Sequence, residues 1–273
     1  MTAQEFADQA MPLLVQKYSD RESSYMITIL LEDLCGITSL ASSKIIQDPI
    51  RLEQAIKDLL DHKPLQYITG IADFYGLKFY VNEYVLIPRP ETEELVRWVL
   101  EDQGDRKKLM DVLDIGTGSG CIALTLAKKH KYMRLTAAEV SQDALNVARI
   151  NSRKLSAQIS FALVDIADEA YWGALGLYDI IISNPPYIKS EDKDLMGQNV
   201  LNYEPDLALY AGDDPLFFYR VIASFSRSHL SDQGAIYLEV HEELAEEVAA
   251  LFDGAVTIKK DMQGKNRMVR IQY

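Results

Sequence analysis

The sequence predicts an α/β protein: a mostly parallel, seven-stranded sheet preceded by a small helical domain. Three observations predict it. From Met110 onward, short β-branched apolar runs alternate with segments of helical periodicity. A glycine-rich turn, Gly116-Thr-Gly118-Ser-Gly120, joins the first of these strands to its helix. The first 60 to 70 residues carry apolar side chains at helical spacing and no strand pattern.

In chain order, Ala3 to Tyr18 and Arg21 to Leu34 read as helices, the second stopped by Gly36. Asp48-Pro49 opens a third, with Asp as N-cap, Pro at the first helical position and Leu52, Ile56, Leu59 and Leu60 on one face. This domain, residues 1–70, shows no chemistry of its own. Phe74 to Val81 alternates aromatic and polar residues about Gly76, a β-hairpin in a linking region over 71–90. Pro88 and Pro90 stiffen the next segment. Thr92 is read as the N-cap of a helix that buries Leu95, Val96 and Val99. By spacing alone, Arg89, Glu91 and Glu93 read as a solvated loop and first-turn acids.

The main domain, 91–273, follows. Its strands are 112–115, 135–140, 159–164, 178–183, 235–240, 256–261 and 268–272. Its helices are 121–129, 143–154, 168–175, 216–229 and 242–252. Alternation of this kind makes a parallel sheet with helices on both faces, and ligands then sit outside the carboxyl ends of the strands.

Composition removes some functions. The chain is 48% apolar and 25% charged, ordinary for a globular protein of 273 residues. Two cysteines, Cys35 and Cys121, suggest neither a disulfide framework nor a metal site, and fit the reducing cytoplasm. The apolar run from Tyr25 to Leu31 is broken by Glu32-Asp33, too short for a membrane span. A formal net charge of −13 without a basic stripe disfavours nucleic acid as a direct partner.

Two stretches carry chemistry. The first is Asp114-Ile-Gly116-Thr117-Gly118-Ser-Gly120. Glycines let backbone approach a ligand, and the helix start behind them suits a negative group. A nicotinamide fingerprint wants its third glycine at position 121, where Cys121 stands. The second is Asn184-Pro185-Pro186-Tyr187, which ends the fourth strand. Proline cannot donate to the ladder, so the strand stops there. An amide or exocyclic amine is a poor nucleophile because its lone pair is delocalised. Holding its N–H hydrogens with the Asn184 side-chain oxygen and the Pro185 carbonyl frees the lone pair, and Tyr187 gives a flat stacking face. Adenine, cytosine and glutamine nitrogens all remain open at this point.

The glycine loop resembles the first motif of class I S-adenosylmethionine-dependent methyltransferases. That resemblance implies a Rossmann-like sheet. It also implies cofactor contacts at Asp114, Gly116, Thr117, Gly118 and Gly120, at Glu139 with Val140 (ribose), at Asp165 with Ile166 (adenine), and at Asn184. From Lys63 onward the chain is similar to the bacterial peptide-chain release factor glutamine methyltransferases. The matching stretches are Pro64-Leu-Gln-Tyr67 with Gly70, Leu86-Ile-Pro-Arg-Pro-Glu-Thr-Glu93, the loop, the Asn-Pro-Pro-Tyr box, Tyr203-Glu-Pro205 with Ala208-Leu209, and Lys260-Asp261 through Gly264 to Arg267. The chain departs from the family at Ala211-Gly-Asp-Asp-Pro215, usually Gly-Gly-x-Asp-Gly, and at Glu139, more often Asp.

The resemblance implies methyl transfer to the Gly-Gly-Gln glutamine of class I release factors, without a metal. Asn184, Pro185 and Tyr187 would be the catalytic residues. Pro186, Arg89, Pro90, Glu91 and Thr92 would shape the glutamine pocket, and the helical domain would recognise the release factor. It thus replaces the solvated-loop reading of Arg89 to Glu93. An N6-adenine DNA methyltransferase would share the loop and box but needs a basic or aromatic recognition region. A non-catalytic adapter would not need an intact box.

Overall fold

The computed structural model describes residues 1–104, 106–189, 191, 193 and 196–273. It divides into two units, Met1–Ile71 with Met196–Tyr203, and Ala72–Leu195 with Glu204–Tyr273.

The first unit contains α1 (Ala3–Leu14), α2 (Asp20–Cys35), α3 (Pro49–Leu60), the short α4 (Leu65–Thr69) and, after the sheet has begun, α8 (Gln198–Leu201). Local sequence sets the boundaries. Thr2 with Glu5 and Ser19 with Glu22 form capping boxes, which satisfy the orphan N–H groups at two helix starts. Gly36 closes α2 in the left-handed conformation, and Asp48 caps α3 ahead of Pro49. The first helix ends at Leu14, not Tyr18: Pro12 removes a ladder donor, and the chain turns two residues later. Tyr18 still serves this core, its hydroxyl donating to Leu59 O at 2.6 Å. Phe6, Leu14, Leu30, Leu31, Leu52 and Leu59 fill the centre.

The second unit opens with a hairpin, β1 (Ile71–Phe74) and β2 (Leu77–Tyr80). Tyr75 and Gly76 both take positive φ, 52° and 74°, as a two-residue turn between twisted strands requires. Then come α5 (Pro90–Gln103), β3 (Met110–Ile115), α6 (Cys121–Lys129), β4 (Met133–Glu139), α7 (Gln142–Leu155), β5 (Ser160–Leu163) and β6 (Tyr178–Ser183). The order closes with α9 (Asp206–Leu209), α10 (Phe217–His229), β7 (Leu230–Glu239), α11 (Ala245–Ala249), β8 (Ala255–Lys260) and β9 (Asn266–Gln272). The sheet order is β5-β4-β3-β6-β7-β9-β8. Strands β3 to β7 run parallel, and β9 is antiparallel to both of its neighbours.

Alternation along the central strands builds both faces. Val112, Ile180, Ile182 and Tyr237 enter one cluster with Phe74, Phe79, Trp98 and Leu124. Leu113, Ile181, Ile236 and Leu238 enter the other with Tyr219, Ile222 and Phe225. A period of two therefore places α5, α6 and the hairpin against one face and α10 against the other. The chain reverses its direction of travel across the sheet between β3 and β6, so the crevice outside their carboxyl ends is where a ligand belongs.

Two more expected helices are shorter than the periodicity implied. Residues 168–175 form a 3₁₀ turn, Glu169–Ala174, capped by Asp168. Residues 242–252 hold only the five-residue α11; His241 Nδ1 accepts from Glu243 N and keeps the start in a turn. Three short helices, α4, α8 and α9, occupy stretches with too few residues to show a period.

Asn151 ties the hairpin to the sheet layer. It is fully buried on α7. Its side chain accepts from Tyr80 N at 2.7 Å and donates to Tyr80 O at 2.9 Å and Ser119 O at 2.8 Å. Asn151→Ala leaves these three backbone groups unpaired, so denaturant unfolding should show a loss of about 2–4 kcal/mol. A loss under about 0.5 kcal/mol would mean that the anchor is dispensable.

Candidate active site

The crevice is built from strand ends. At the end of β3 the chain enters the glycine loop, whose first amides, Gly116 N and Thr117 N, donate to Ala138 O at 2.9 and 3.1 Å. Gly116, Gly118 and Gly120 take φ of +70°, +54° and +80°. At Gly116 and Gly118 a Cβ would meet nothing within 4 Å, so these two open onto free space. At Gly120 a Cβ would stand 2.9 Å from Leu124 Cδ1, so this glycine serves close packing.

Asp114 lies beneath the loop and is wholly buried. Its Oδ2 accepts from Thr117 Oγ1 at 2.6 Å and Ala123 N at 3.2 Å, while Oδ1 has no partner. Burial pushes this carboxyl up to about 7 against the pull of those two donors. Asp114 and Thr117 thus hold the loop's shape from behind. Glu139, ending β4, is also buried. Its Oε2 accepts from Gly118 N at 2.9 Å; its Oε1 accepts from Val140 N at 2.9 Å and Ser141 N at 3.0 Å. Burial raises it above the ordinary carboxylate range, and the three backbone donors oppose that shift. Beyond β5, Asp165 Oδ1 accepts from Ala167 N at 2.9 Å, and Ile166 is buried beside it.

These groups surround a cavity of about 310 Å³. Gly116, Gly118, Glu139, Val140, Asp165, Ile166, Asn184, Pro185 and Pro186 all line it. Asp114, Thr117 and Gly120, also expected at the cofactor, stand behind the lining. Sequence reasoning missed Tyr84, Val85, Leu86, Leu207, Phe218 and Ile222, which complete the apolar wall. The first three adjoin the Ile-Pro-Arg-Pro segment. The last three come from α9 and α10 and carry no local signal.

At the end of β6, Ser183 Oγ donates to Ile115 O at 2.8 Å and binds the two central strand ends together. Asn184 Nδ2 then donates to Thr92 Oγ1 at 3.2 Å, and Thr92 Oγ1 donates to Glu239 Oε2 at 2.6 Å. Thr92 is therefore not an N-cap. Arg89 occupies that position, Pro90 is the first helical residue, and Thr92 faces inward from the first turn of α5. Arg89 Nη2 pairs with the buried Glu204 at 2.5 Å, and Glu91 Oε1 accepts from Gln263 Nε2 at 3.5 Å. Glu93 Oε1 accepts from Tyr75 N at 2.8 Å. None of these residues is a free surface charge. Tyr187 lies against His241, ring centroids 6.0 Å apart, and burial pushes its phenol up to about 12, so it stays neutral. After the box, Ile188 pairs with the 209–211 segment through Ile188 N to Leu209 O at 3.1 Å and Ala211 N to Ile188 O at 2.9 Å.

A family model described as "Methyltransferase small domain" matches residues 95–205. The release factor glutamine methyltransferase of Flavobacterium psychrophilum is 37% identical over 286 residues, spanning 100% of both chains. That of Streptococcus pneumoniae is 47% identical over 223 residues, covering 80% of this chain and 78% of its own. The chain belongs to the release factor glutamine methyltransferase family. A solved methyltransferase from Pyrococcus furiosus shares the fold, with a TM-score of 0.52 at 20% identity, covering 81% of this chain and 97% of that one. As a family member, the chain has the class I methyltransferase fold. Among the described residues, no cluster of three or more His, Cys, Asp or Glu side chains is arranged to hold a metal. None of their helices is long and apolar enough to cross a membrane.

Burial of Asp114 makes a stability prediction for this family member. Its carboxyl sits at about 7 in the fold, against about 4 in an unfolded chain. Between those values the folded state holds the extra proton. Stability from this group is therefore present below about pH 4 and lost as pH rises through about 7. In denaturant unfolding, Asp114→Asn should gain on wild type by about 1–3 kcal/mol between pH 5 and pH 8. A gap that moves the other way contradicts the burial account.

Proposed function

We propose that this protein transfers a methyl group from S-adenosylmethionine to the side-chain amide nitrogen of a glutamine in peptide-chain release factors. The acceptor is taken to be the glutamine of their Gly-Gly-Gln motif. The observation that carries this reading is the position of Asn184. It directly follows β6, lines the cavity and turns its amide nitrogen inward to Thr92, which leaves its oxygen as an acceptor.

The residues present fit the cofactor. A cavity of about 310 Å³ is the size of a small-ligand site. Gly116 and Gly118 leave its floor open, and Glu139 offers a carboxylate at its rim, rigidly held by three backbone amides. Asp165 and Ile166 offer a polar edge and an apolar contact for a planar base. When bound, the cofactor supplies a methyl group on a positively charged sulfur, already electrophilic. The protein's own work is positioning. Asn184 Oδ1 and the Pro185 carbonyl accept from the two N–H bonds of the glutamine amide, and the neutral Tyr187 ring packs on its plane. The fixed φ of Pro185, together with the limit that Pro186 sets on its ψ, keeps the carbonyl in place. Arg89, Pro90, Glu91 and Thr92 support the pocket, Arg89 through Glu204 and Thr92 through Asn184. The helical unit is assigned recognition of the release factor; removal of residues 1–70 without loss of transfer to intact release factor would count against that assignment.

Asn184→Ala separates holding from reacting. Transfer from labelled cofactor to purified release factor should fall by on the order of 100-fold or more, as when a stabilising polar group is removed from a reaction centre. Cofactor affinity by calorimetry should fall far less than transfer does, since the loop and Glu139 still hold the cofactor when the Asn184 contact is lost. Transfer at the wild-type rate would remove Asn184 from the mechanism.

A further inference from the structure

Glu239 is a buried carboxyl that stands outside the cavity lining. It ends β7, the fifth parallel strand, and is 2% exposed. Its side chain points at Thr92, itself 3% exposed, and Thr92 receives the Asn184 amide nitrogen. The three groups form a chain, carboxyl to hydroxyl to amide, running from the interior to the cavity wall.

The chemistry of that chain gives it a direction. An ionised carboxyl only accepts hydrogen bonds. Thr92 has a single hydroxyl proton, and at 2.6 Å it is committed to Glu239. Toward Asn184, Thr92 is then an acceptor alone, so it takes an N–H and not the amide oxygen. The Asn184 oxygen is left for the substrate. If the direction were reversed, Asn184 would present its NH₂ to the NH₂ of the acceptor glutamine, donor against donor. Shape does not prevent that reversal, because the oxygen and NH₂ of an amide are nearly equal in size. Only the hydrogen-bond partner decides it.

We propose that Thr92 and Glu239 are positioning residues that fix which way round the Asn184 amide stands, so that its oxygen faces the acceptor nitrogen. This rests on the reading of Asn184 as the residue that orients the acceptor glutamine. The relay works only while Glu239 is ionised. Once protonated, Glu239 donates to Thr92, the Thr92 proton is released toward Asn184, and the amide turns over. Burial holds this carboxyl up to about 7, with the Thr92 hydrogen bond and the charges of Arg267 on β9 and Arg89 pulling it down and Glu91 on α5 pushing it up. Tyr187 and Tyr219 also face it as neutral phenols, Tyr219 donating to its main-chain oxygen at 3.0 Å, and Cys121 is a buried thiol raised to about 12. None of these three carries charge near neutrality, so among the groups packed on the relay Glu239 is the one that titrates there. Correct orientation is therefore lost as pH falls through about 7.

The test uses the full-length protein and purified release factor. Thr92→Val keeps the shape and removes the hydroxyl. Its kcat should fall by on the order of 10- to 100-fold, the worth of one hydrogen bond to a charged group, with the release-factor KM changed by about threefold or less. Thr92→Ser should restore most of the loss. Wild-type kcat should fall as pH drops from 8 to 6, and in Glu239→Gln, which cannot ionise, that fall should disappear. If Thr92→Val does not fold, the Glu239→Gln pH profile decides alone. A second readout needs no turnover. The Asn184 side-chain NH₂ resonance, identified by its absence in Asn184→Asp, should shift between pH 8 and pH 6 in wild type but not in Glu239→Gln. Wild-type kcat in Thr92→Val, or an acid fall that persists in Glu239→Gln, overturns the relay. Absence of transfer by wild type itself would instead sink the glutamine reading, and the NH₂ resonance would still judge the relay.

Discussion

Parallel strands end on one side of a sheet, and the rest of this site depends on that constraint. Strands β3, β4, β5, β6 and β7 all point their carboxyl ends at the same edge. Each delivers a polar residue there: Asp114 one residue before the end of β3, Glu139 at the end of β4, Asp165 just beyond β5, Asn184 just beyond β6 and Glu239 at the end of β7. Backbone amides and hydroxyls hold all four acids in place. Desolvation works against the buried carboxyls, and at Asp114, Glu139 and Glu239 it prevails. Stability is given up where geometry is needed.

Much of this was legible in the sequence because periodicity and punctuation agreed. Residues 121–129 and 178–183 form the helix and strand that their apolar spacing implied. Asp48-Pro49 and Gly36 start and stop helices as their chemistry requires. The strand ends Glu139, Asp165 and Asn184 meet around one cavity, as a parallel sheet dictates. Glu239 obeys the same rule and was overlooked: the family resemblance pointed to Glu139, while the single acid closing the run Ala-Ile-Tyr-Leu belongs to no motif.

What was not legible came from contacts between distant segments. Thr92 has the right residue type for an N-cap, and local spacing favoured that role. Its hydroxyl instead finds Glu239, 147 positions away. Arg89 reads as solvated until Glu204, 115 positions on, is brought beneath it. The apolar wall from Leu207, Phe218 and Ile222 has no motif because it needs only bulk and shape. In the 211–215 departure from the family pattern, Gly212 keeps the left-handed turn at φ +80°, and Asp214 Oδ1 accepts from Leu216 N at 3.1 Å. The segment still leads into α10 without the extra glycines.

The central claim is that one geometry, an amide oxygen and a proline carbonyl beside a cofactor cavity, methylates a protein glutamine. It is tested most directly by following labelled methyl from S-adenosylmethionine onto purified release factor, the same factor with its Gly-Gly-Gln glutamine changed to alanine, and duplex DNA. Label on the intact factor, mapped to that one glutamine and absent from the other two, is the predicted result. Label on DNA, or undiminished label on the alanine form, would contradict it.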